Sequence, residues 1–179
     1  DLAGMVATVR ALSRAGIPPA LGFVYDEFWL PFRMLGPIIE SQLGGPYIMQ
    51  PDFWIWNVLP EHNDSGWAPH RDRGAVALFP DGSPKALTIW IPLSHATPLS
   101  SCMYVVPARA DRGYGKPSAD NTFDFDHQAI RALPAAPGDF LMWNQAVLHW
   151  GSRSSTMAPE SRVSVAVEFQ RADVPARSE

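Results

Sequence analysis

From residue 53 onward, proline, glycine and aspartate divide the chain into short runs of β-branched and aromatic residues. Proline interrupts helices, and runs of this length and composition are typical of β-strands. The strand candidates are residues 53–59, 75–79, 86–93, 102–106, 139–144, 147–150 and 162–170. So many short strands predict a mainly β protein, built as a barrel or a two-sheet jelly roll.

The residues before these strands have a helical pattern. Apolar residues recur at helical spacing over residues 2–13, and Gly16 with the following prolines ends the pattern. A second helical stretch is predicted over residues 26–43, broken or kinked at Pro31 and Pro37. We expect residues 1–45 to form a helical support on the outside of the sheet.

The sequence predicts a single domain over residues 1–179, with a jelly-roll core over residues 50–170. No repeat, low-complexity tract or linker divides the chain. The segment 107–137 is long, polar and poor in strand-forming residues. Connections of this length are uncommon unless they serve as lids or binding loops, so we expect a lid or a substrate loop here.

Composition narrows the possible partners. A net charge of -4 indicates neither a nucleic-acid-binding surface nor attraction to an anionic membrane. No apolar run reaches the roughly 20 residues that a membrane helix needs. Cys102 is the only cysteine, which excludes thiolate zinc clusters and fits a reducing, cytoplasmic location. We therefore expect a small-molecule substrate; the oligomeric state stays open.

His70 and Asp72 lie two residues apart, so on an extended segment both side chains leave from the same face. A surface turn with a hydrogen-bonded aspartate is the alternative interpretation. A kinase catalytic loop is excluded, because it needs an asparagine where this chain has Ala77. With the distant His149, on a late predicted strand, the pair matches a two-histidine, one-carboxylate site for iron(II).

The last predicted strand alternates strictly between apolar and other residues. Valines and Phe169 occupy one face, whereas Arg162, Ser164, Ala166 and Glu168 occupy the other. In an ordinary sandwich this second face is exposed to solvent. In a barrel that holds a ligand it points inward, where a guanidinium beside a hydroxyl is suited to bind a carboxylate. Arg153 is the alternative candidate for that task.

The order of His-X-Asp, a distant His and then Arg-X-Ser resembles the iron(II)- and 2-oxoglutarate-dependent oxygenases. The surrounding residues are similar to the phytanoyl-CoA dioxygenase-like branch of that superfamily, over roughly residues 50–170. The motifs that carry this similarity are Gly66-Trp67-Ala68-Pro69-His70-Arg71-Asp72, Leu87-Thr88-Ile89-Trp90-Ile91-Pro92-Leu93, Val105-Val106-Pro107 and Gly138-Asp139-Phe140.

The resemblance implies a double-stranded β-helix with His70, Asp72 and His149 as the iron ligands. It further implies that Arg162, assisted by Ser164, pairs with the far carboxylate of 2-oxoglutarate. We expect Thr88 and Trp90 to form a wall of the cosubstrate site, or else to be plain core. The implied activity uses O2 to hydroxylate a small organic substrate, while 2-oxoglutarate is decarboxylated to succinate. Arg71 is expected to point away from the metal.

Substrate contacts are expected from the rim of the site. The candidates are Trp54, Trp56, Asn57, Trp67 and, in the 107–137 loop, Arg109, Arg112, Tyr114 and Lys116. The chain departs from the branch's usual pattern at Ser100-Ser101, where an Asn-Gly turn is usual, and at Ala108-Arg109, which leaves the substrate class open. A cupin-type metal oxygenase without 2-oxoglutarate and a non-catalytic jelly-roll binding domain remain as alternatives.

Overall fold

A computed structural model describes residues 1–62, 64, 66–117 and 123–175, and shows two antiparallel sheets. The strands are β1 (Tyr47–Val58), β2 (Ala86–Pro92), β3 (Met103–Val105), β4 (Arg131–Leu133), β5 (Leu141–Asn144), β6 (His149–Gly151) and β7 (Arg162–Arg171). The larger sheet has the order β1-β7-β2-β5, and the smaller one has the order β4-β3-β6. The predicted mainly β, jelly-roll fold is confirmed.

The helices precede the sheets in the chain. They are α1 (Leu2–Arg14), α2 (Leu30–Met34) and α3 (Gly36–Leu43), with 3₁₀ turns at Pro19–Val24 and Asp26–Phe28. Pro31 and Pro37 lie in the first turns of α2 and α3, where a missing N–H costs nothing, so the predicted break becomes two short helices. Gly44 ends α3 in the left-handed conformation that favours glycine.

Two apolar layers cover the two faces of the larger sheet. On one face, Val163, Val165 and Val167 of β7 pack with helix residues such as Val9 and Ile39. On the other face, Trp90 and Ala166 pack with Met103 of the smaller sheet. The molecule therefore has three layers, which are the helices, the larger sheet and the smaller sheet.

Strand β7 is one of the two inner strands of the larger sheet, since it pairs with both β1 and β2. Its register aligns Ala166 with Trp54 on one side and Trp90 on the other, and Glu168 with Thr88. Its non-valine face points into the space between the sheets, where Arg162 and Ser164 are only 2% and 0% exposed. The polar face of this strand is thus an interior face.

Two sequence predictions about strands are wrong. The stretch 75–79 is not a strand, because Gly74–Ala77 form a 3₁₀ turn. The amides of Arg73 and Gly74 both donate to the Gln145 carbonyl, and the amide of Leu78 donates to the Ala75 carbonyl, so the backbone bonds of this stretch are those of a turn. Conversely, β4 lies inside the segment predicted to lack strands; three residues are too few to show alternation.

Within the described residues, none of the helices has the length and hydropathy that a membrane span requires. Residues 118–122 of the predicted 107–137 loop lie outside the described residues. The remainder of that loop contains short 3₁₀ turns at Ala108–Ala110 and His127–Ala129.

Candidate metal centre

A pair of backbone hydrogen bonds brings the distant histidines together. The amide of His70 donates to the carbonyl of His149 and the amide of His149 donates to the carbonyl of His70, both at 3.0 Å. Asp72 follows two residues after His70 on the same segment. One nitrogen from each imidazole and one oxygen of the Asp72 carboxylate lie within 4.8 Å of one another. The three residues that the sequence singled out therefore share one site.

The orientation of the imidazoles fits a bound cation. The Nδ1 atoms of His70 and His149 lie 2.7 Å and 3.0 Å from the carbonyl oxygens of Ala68 and Val147. Carbonyl oxygens only accept, so each Nδ1 bears a proton, and in the neutral ring each Nε2 presents a lone pair. These Nε2 atoms lie 3.3 Å and 3.4 Å from Oδ1 of Asp72. Three electron-rich atoms converge, and a divalent cation would satisfy all of them.

The other oxygen of Asp72 is fixed by two donors. Thr88 donates its hydroxyl to Oδ2 at 2.6 Å, and the Trp143 indole donates at 3.1 Å. These bonds turn Oδ1 toward the histidines, as supporting groups around metal ligands commonly do. The sequence reasoning missed Trp143. The sequence did place Trp143 on a predicted strand, residues 139–144. In the structure, Trp143 pairs directly with Thr88 in the sheet.

The pKa values of the two histidines are shifted in opposite directions. Burial lowers the pKa of His149, and this outweighs the nearby Asp72 charge. Burial also acts to lower the pKa of His70, but hydrogen bonds to Asp72 and to the Ala68 carbonyl raise it above its usual value. The pKa of Asp72 is lowered: burial opposes ionisation, whereas hydrogen bonds from His70, Thr88 and Trp143 favour the carboxylate. An ionised Asp72 beside two imidazoles is the donor set of an iron(II) site.

A buried guanidinium faces the same cavity. Arg162 donates from Nε to the Ser101 carbonyl at 3.0 Å, from Nη2 to the Ser101 hydroxyl at 3.1 Å, and from Nη1 to the Ser164 hydroxyl. Its guanidinium lies 5.5 Å from the ring centre of Trp90. Burial lowers the pKa of Arg162 to about 10, so the side chain stays charged at neutral pH. No carboxylate is paired with Arg162 among the described residues.

A cavity of about 260 Å³ joins these groups. Its lining includes the three candidate ligands, Thr88, Trp90, Trp143 and Arg162. Trp54 and Trp56 form a further wall, with their rings stacked 6.1 Å apart at 16°. Asp52 and Glu168 line it as well, and both lie beside Arg73. Among these charged groups Arg162 offers a positive site for an anion, close to the candidate metal ligands.

The other predicted residues lie partly at this cavity and partly away from it. Trp67 lies at its edge and is 55% exposed, and the Asn144 amide donates to the Tyr114 hydroxyl at 2.9 Å. Arg153 lines an adjoining groove with Tyr104 and Trp150, and this groove shares Trp67 and Gly151 with the cavity. Arg112 forms an exposed ion pair with Asp124 at 3.3 Å.

Arg71 lies between the two candidate ligands in sequence but takes part in different contacts. Its Nη2 donates to both carboxylate oxygens of Asp111, at 2.7 Å and 2.6 Å. The Asp111 side chain is 0% exposed and also accepts from the Gly113 amide at 2.9 Å. Arg71 thus connects the candidate metal centre to the segment that follows β3.

Comparison with protein-family models matches residues 24–162 to the family described as Phytanoyl-CoA dioxygenase (PhyH). The matched range includes His70, Asp72, His149 and Arg162. A search among curated proteins finds no significantly similar sequence.

Solved structures with a similar fold share little sequence with this chain. SnoN, described as an epimerase in complex with Fe3+, alpha ketoglutarate and nogalamycin RO, superposes with a TM-score of 0.68 at 17% identity, covering 99% of this chain and 82% of SnoN. HygX from Streptomyces hygroscopicus, with nickel and 2-oxoglutarate bound, gives 0.62 at 18% identity, covering 93% and 78%.

AviO1 from Streptomyces viridochromogenes Tue57 gives a TM-score of 0.60 at 17% identity, covering 80% of this chain. The matched region spans only 60% of AviO1, and 52% of a second SnoN structure. At these identities the likeness establishes the common fold.

Proposed function

The chain belongs to the phytanoyl-CoA dioxygenase family, and we propose that it is a non-haem iron(II)- and 2-oxoglutarate-dependent oxygenase. The reaction we propose is hydroxylation of a small organic substrate with O2, with decarboxylation of 2-oxoglutarate to succinate. The observation that supports this most strongly is the presence of two different sites in one cavity. His70, Asp72 and His149 converge as metal ligands, and the buried Arg162 faces the same space without a carboxylate partner among the described residues.

The residues of this chain have distinct tasks in the proposed reaction. His70, Asp72 and His149 would hold iron(II) and leave coordination positions open. Thr88 and Trp143 keep the Asp72 carboxylate oriented. When bound, iron and 2-oxoglutarate supply the oxidising chemistry with O2. The structures of SnoN with Fe3+ and alpha ketoglutarate, and of HygX with nickel and 2-oxoglutarate, support this ligand set.

Arg162 would bind the far carboxylate of 2-oxoglutarate. Ser101 occupies its Nε–Nη2 edge, so the Nη1–Nη2 end is left for a carboxylate. Trp90 packs against the guanidinium and shields it from water. Ser164 accepts a hydrogen bond from Nη1 and so holds Arg162 in place. We therefore infer that Ser164 orients Arg162 and that Trp90 forms part of the wall of the cosubstrate site.

The substrate would approach from the side where the tryptophans lie. The stacked rings of Trp54 and Trp56 and the exposed Trp67 provide flat apolar surfaces at the cavity. A cavity of about 260 Å³ that also holds the cosubstrate suits a small organic molecule. Rings of this kind exclude water from the site, which protects an oxidation reaction.

Anaerobic titration with iron(II) and 2-oxoglutarate tests the proposal, because the chelate of both has a weak visible absorption band. We expect the band in the wild-type protein. In Arg162→Met, metal affinity is expected to persist while 2-oxoglutarate affinity falls by about 100-fold or more, because paired charge-assisted hydrogen bonds are lost. Circular dichroism would verify that the variant is folded.

Arg153→Met is the matched control, since Arg153 lines the other groove; we expect it to bind 2-oxoglutarate as the wild type does. A protein that binds iron(II) but neither binds nor converts 2-oxoglutarate, with a broad panel of substrates present, would contradict the proposal. That outcome would favour a cupin-type oxygenase or a non-catalytic binding domain. Loss of 2-oxoglutarate binding in Arg153→Met alone would show that Arg153, and not Arg162, binds the far carboxylate.

A further inference from the structure

Ser101, in the turn before β3, has an unusual backbone conformation. Its φ is +56°, in the left-handed region, and every other described residue with positive φ is a glycine. A side chain in this region is strained, and such residues persist where the surrounding structure holds them. Ser101 is also 0% exposed. A strained, buried serine at a position suited to glycine calls for a physical reason.

The turn itself does not require a serine. The amides of Ser100 and Cys102 both donate to the carbonyl of Thr97 at 3.0 Å, and the Ser100 hydroxyl donates to the carbonyl of His95 at 3.0 Å. These bonds close the turn and place residue 101 where the chain reverses. Glycine would adopt the same φ at no steric cost. The reason for a serine therefore lies in its side chain.

The hydroxyl of Ser101 joins the arginine to the strand of the distal histidine. It donates to the Ser152 carbonyl at 2.5 Å, directly after β6, and accepts from Nη2 of Arg162 at 3.1 Å. Because its one proton is used by Ser152, its lone pairs face the guanidinium. The Ser101 carbonyl accepts from Nε of the same arginine. Ser101 thus covers one whole edge of the guanidinium.

We propose that Ser101 is a positioning residue, whose hydroxyl orients Arg162 so that the Nη1–Nη2 end of the guanidinium meets the far carboxylate of 2-oxoglutarate. This inference rests on the proposed function, because it requires that Arg162 binds the far carboxylate of 2-oxoglutarate. The backbone strain at position 101 is retained because a glycine there would lose both hydrogen bonds of the hydroxyl. Ser164, on Nη1, fixes the remaining rotation.

Ser101→Gly removes the hydroxyl while favouring the existing backbone conformation. With Ni²⁺ as the metal, we expect the affinity for 2-oxoglutarate to fall about 10- to 100-fold, the effect of losing one hydrogen bond to a charged group. Affinity for Ni²⁺ should not change. Affinity for 2-oxopentanoate, which lacks the far carboxylate, should not change either. Calorimetry measures all three values without turnover, and Ser101→Ala tests the same loss if the glycine variant does not fold.

A double-mutant cycle separates positioning from a general structural effect. In the Arg162→Met background, Ser101→Gly should cause no further loss, because the group it orients is absent. Ser83→Gly, in a turn outside the cavity lining, is the matched control and should bind 2-oxoglutarate like the wild type.

An unchanged 2-oxoglutarate affinity in Ser101→Gly would overturn the inference, and so would an equal loss for both oxo acids. Both results leave the proposed function intact, provided that the wild type binds 2-oxoglutarate. A wild type that fails to bind 2-oxoglutarate would overturn the proposed function and, with it, the role of Ser101.

Discussion

His70 and His149 present the same ring atom to Asp72 but differ in their surroundings. The His70 side chain is 35% exposed, whereas that of His149 is 3% exposed. The pKa of His149 is lowered by burial, and that of His70 is raised by its hydrogen bonds to Asp72 and Ala68 despite burial. In the metal-free protein His149 therefore stays neutral to lower pH, and His70 is the ligand that takes up a proton first.

This difference predicts how metal affinity depends on pH. A metal must displace the proton from His70, so affinity should fall about tenfold per pH unit as the pH drops through and below the raised pKa of His70. Above that pKa the affinity should level off. Calorimetric titration with Ni²⁺ in buffers of different ionisation enthalpy would count the released proton.

His127→Gln is the control, since that exposed residue lies in the loop after β3 and not among the candidate ligands. It should release the same number of protons as the wild type. Metal affinity that stays constant from mildly acidic to mildly alkaline pH would contradict the assignment of His70 as the protonated ligand.

At the scale of elements, the segment after β3 contains residues of two ion pairs, one buried and one exposed. Arg71 and Asp111 are 10% and 0% exposed, whereas Arg112 and Asp124 are 79% and 71% exposed. The Arg71 guanidinium also lies 5.3 Å from the ring centre of Phe123, which follows residue 122 in the chain. Since Arg71 is adjacent to both His70 and Asp72, the buried pair ties this loop to the metal-binding segment.

We expect Arg71→Met to destabilise the protein by about 3–5 kcal/mol, because it leaves the Asp111 carboxylate buried without its partner. The loop should also become more sensitive to proteases, while metal affinity is retained, as expected for a side chain directed away from the ligands. Denaturant unfolding, limited proteolysis and metal titration measure these effects.

Arg112→Met is the matched control and should leave the unfolding midpoint almost unchanged, because exposed pairs contribute little. Adding Asp111→Asn to Arg71→Met should recover part of the lost stability, since it removes the unpaired charge. Equal effects of Arg71→Met and Arg112→Met would contradict a structural role for the buried pair.

At the scale of the whole molecule, the larger sheet is the middle layer, with the helices on one face and the smaller sheet on the other. The valine face of β7 packs with the helices, and its other face forms the interior with Trp90 and the smaller sheet. The helical layer therefore packs against the same strands that carry residues of the site. We propose on this basis that residues 1–179 are one domain.

This proposal predicts a single unfolding transition. Ile39→Ala in α3, at a position that is 0% exposed, should lower the free energy of unfolding by about 2–5 kcal/mol. Circular dichroism and tryptophan fluorescence should report the same midpoint, because helices and sheets unfold together.

Ile38→Ala is the matched control on the neighbouring residue, which is 42% exposed, and its effect should be small. Two separate transitions, with only the helical signal shifted by Ile39→Ala, would show that the helical layer unfolds independently.

Patterns over neighbouring residues were enough to predict the main elements of the fold. The alternation in residues 162–170 predicted β7 and its two faces, and the prolines at 31 and 37 predicted a broken helix. Local patterns failed where length or surroundings decide. The 75–79 run has strand-forming residues but bends into a 3₁₀ turn, and β4 is too short to be visible in the sequence.

The spacing of His70 and Asp72 by itself determined that both side chains leave one face of an extended segment. Only the tertiary structure decided that His149 lies opposite, that Thr88 and Trp143 hold the far oxygen of Asp72, and that Ser101 holds Arg162. The physical reason is that these contacts join residues far apart in the chain. Side-chain periodicity records which face a residue occupies, whereas strand order and register decide what it meets there.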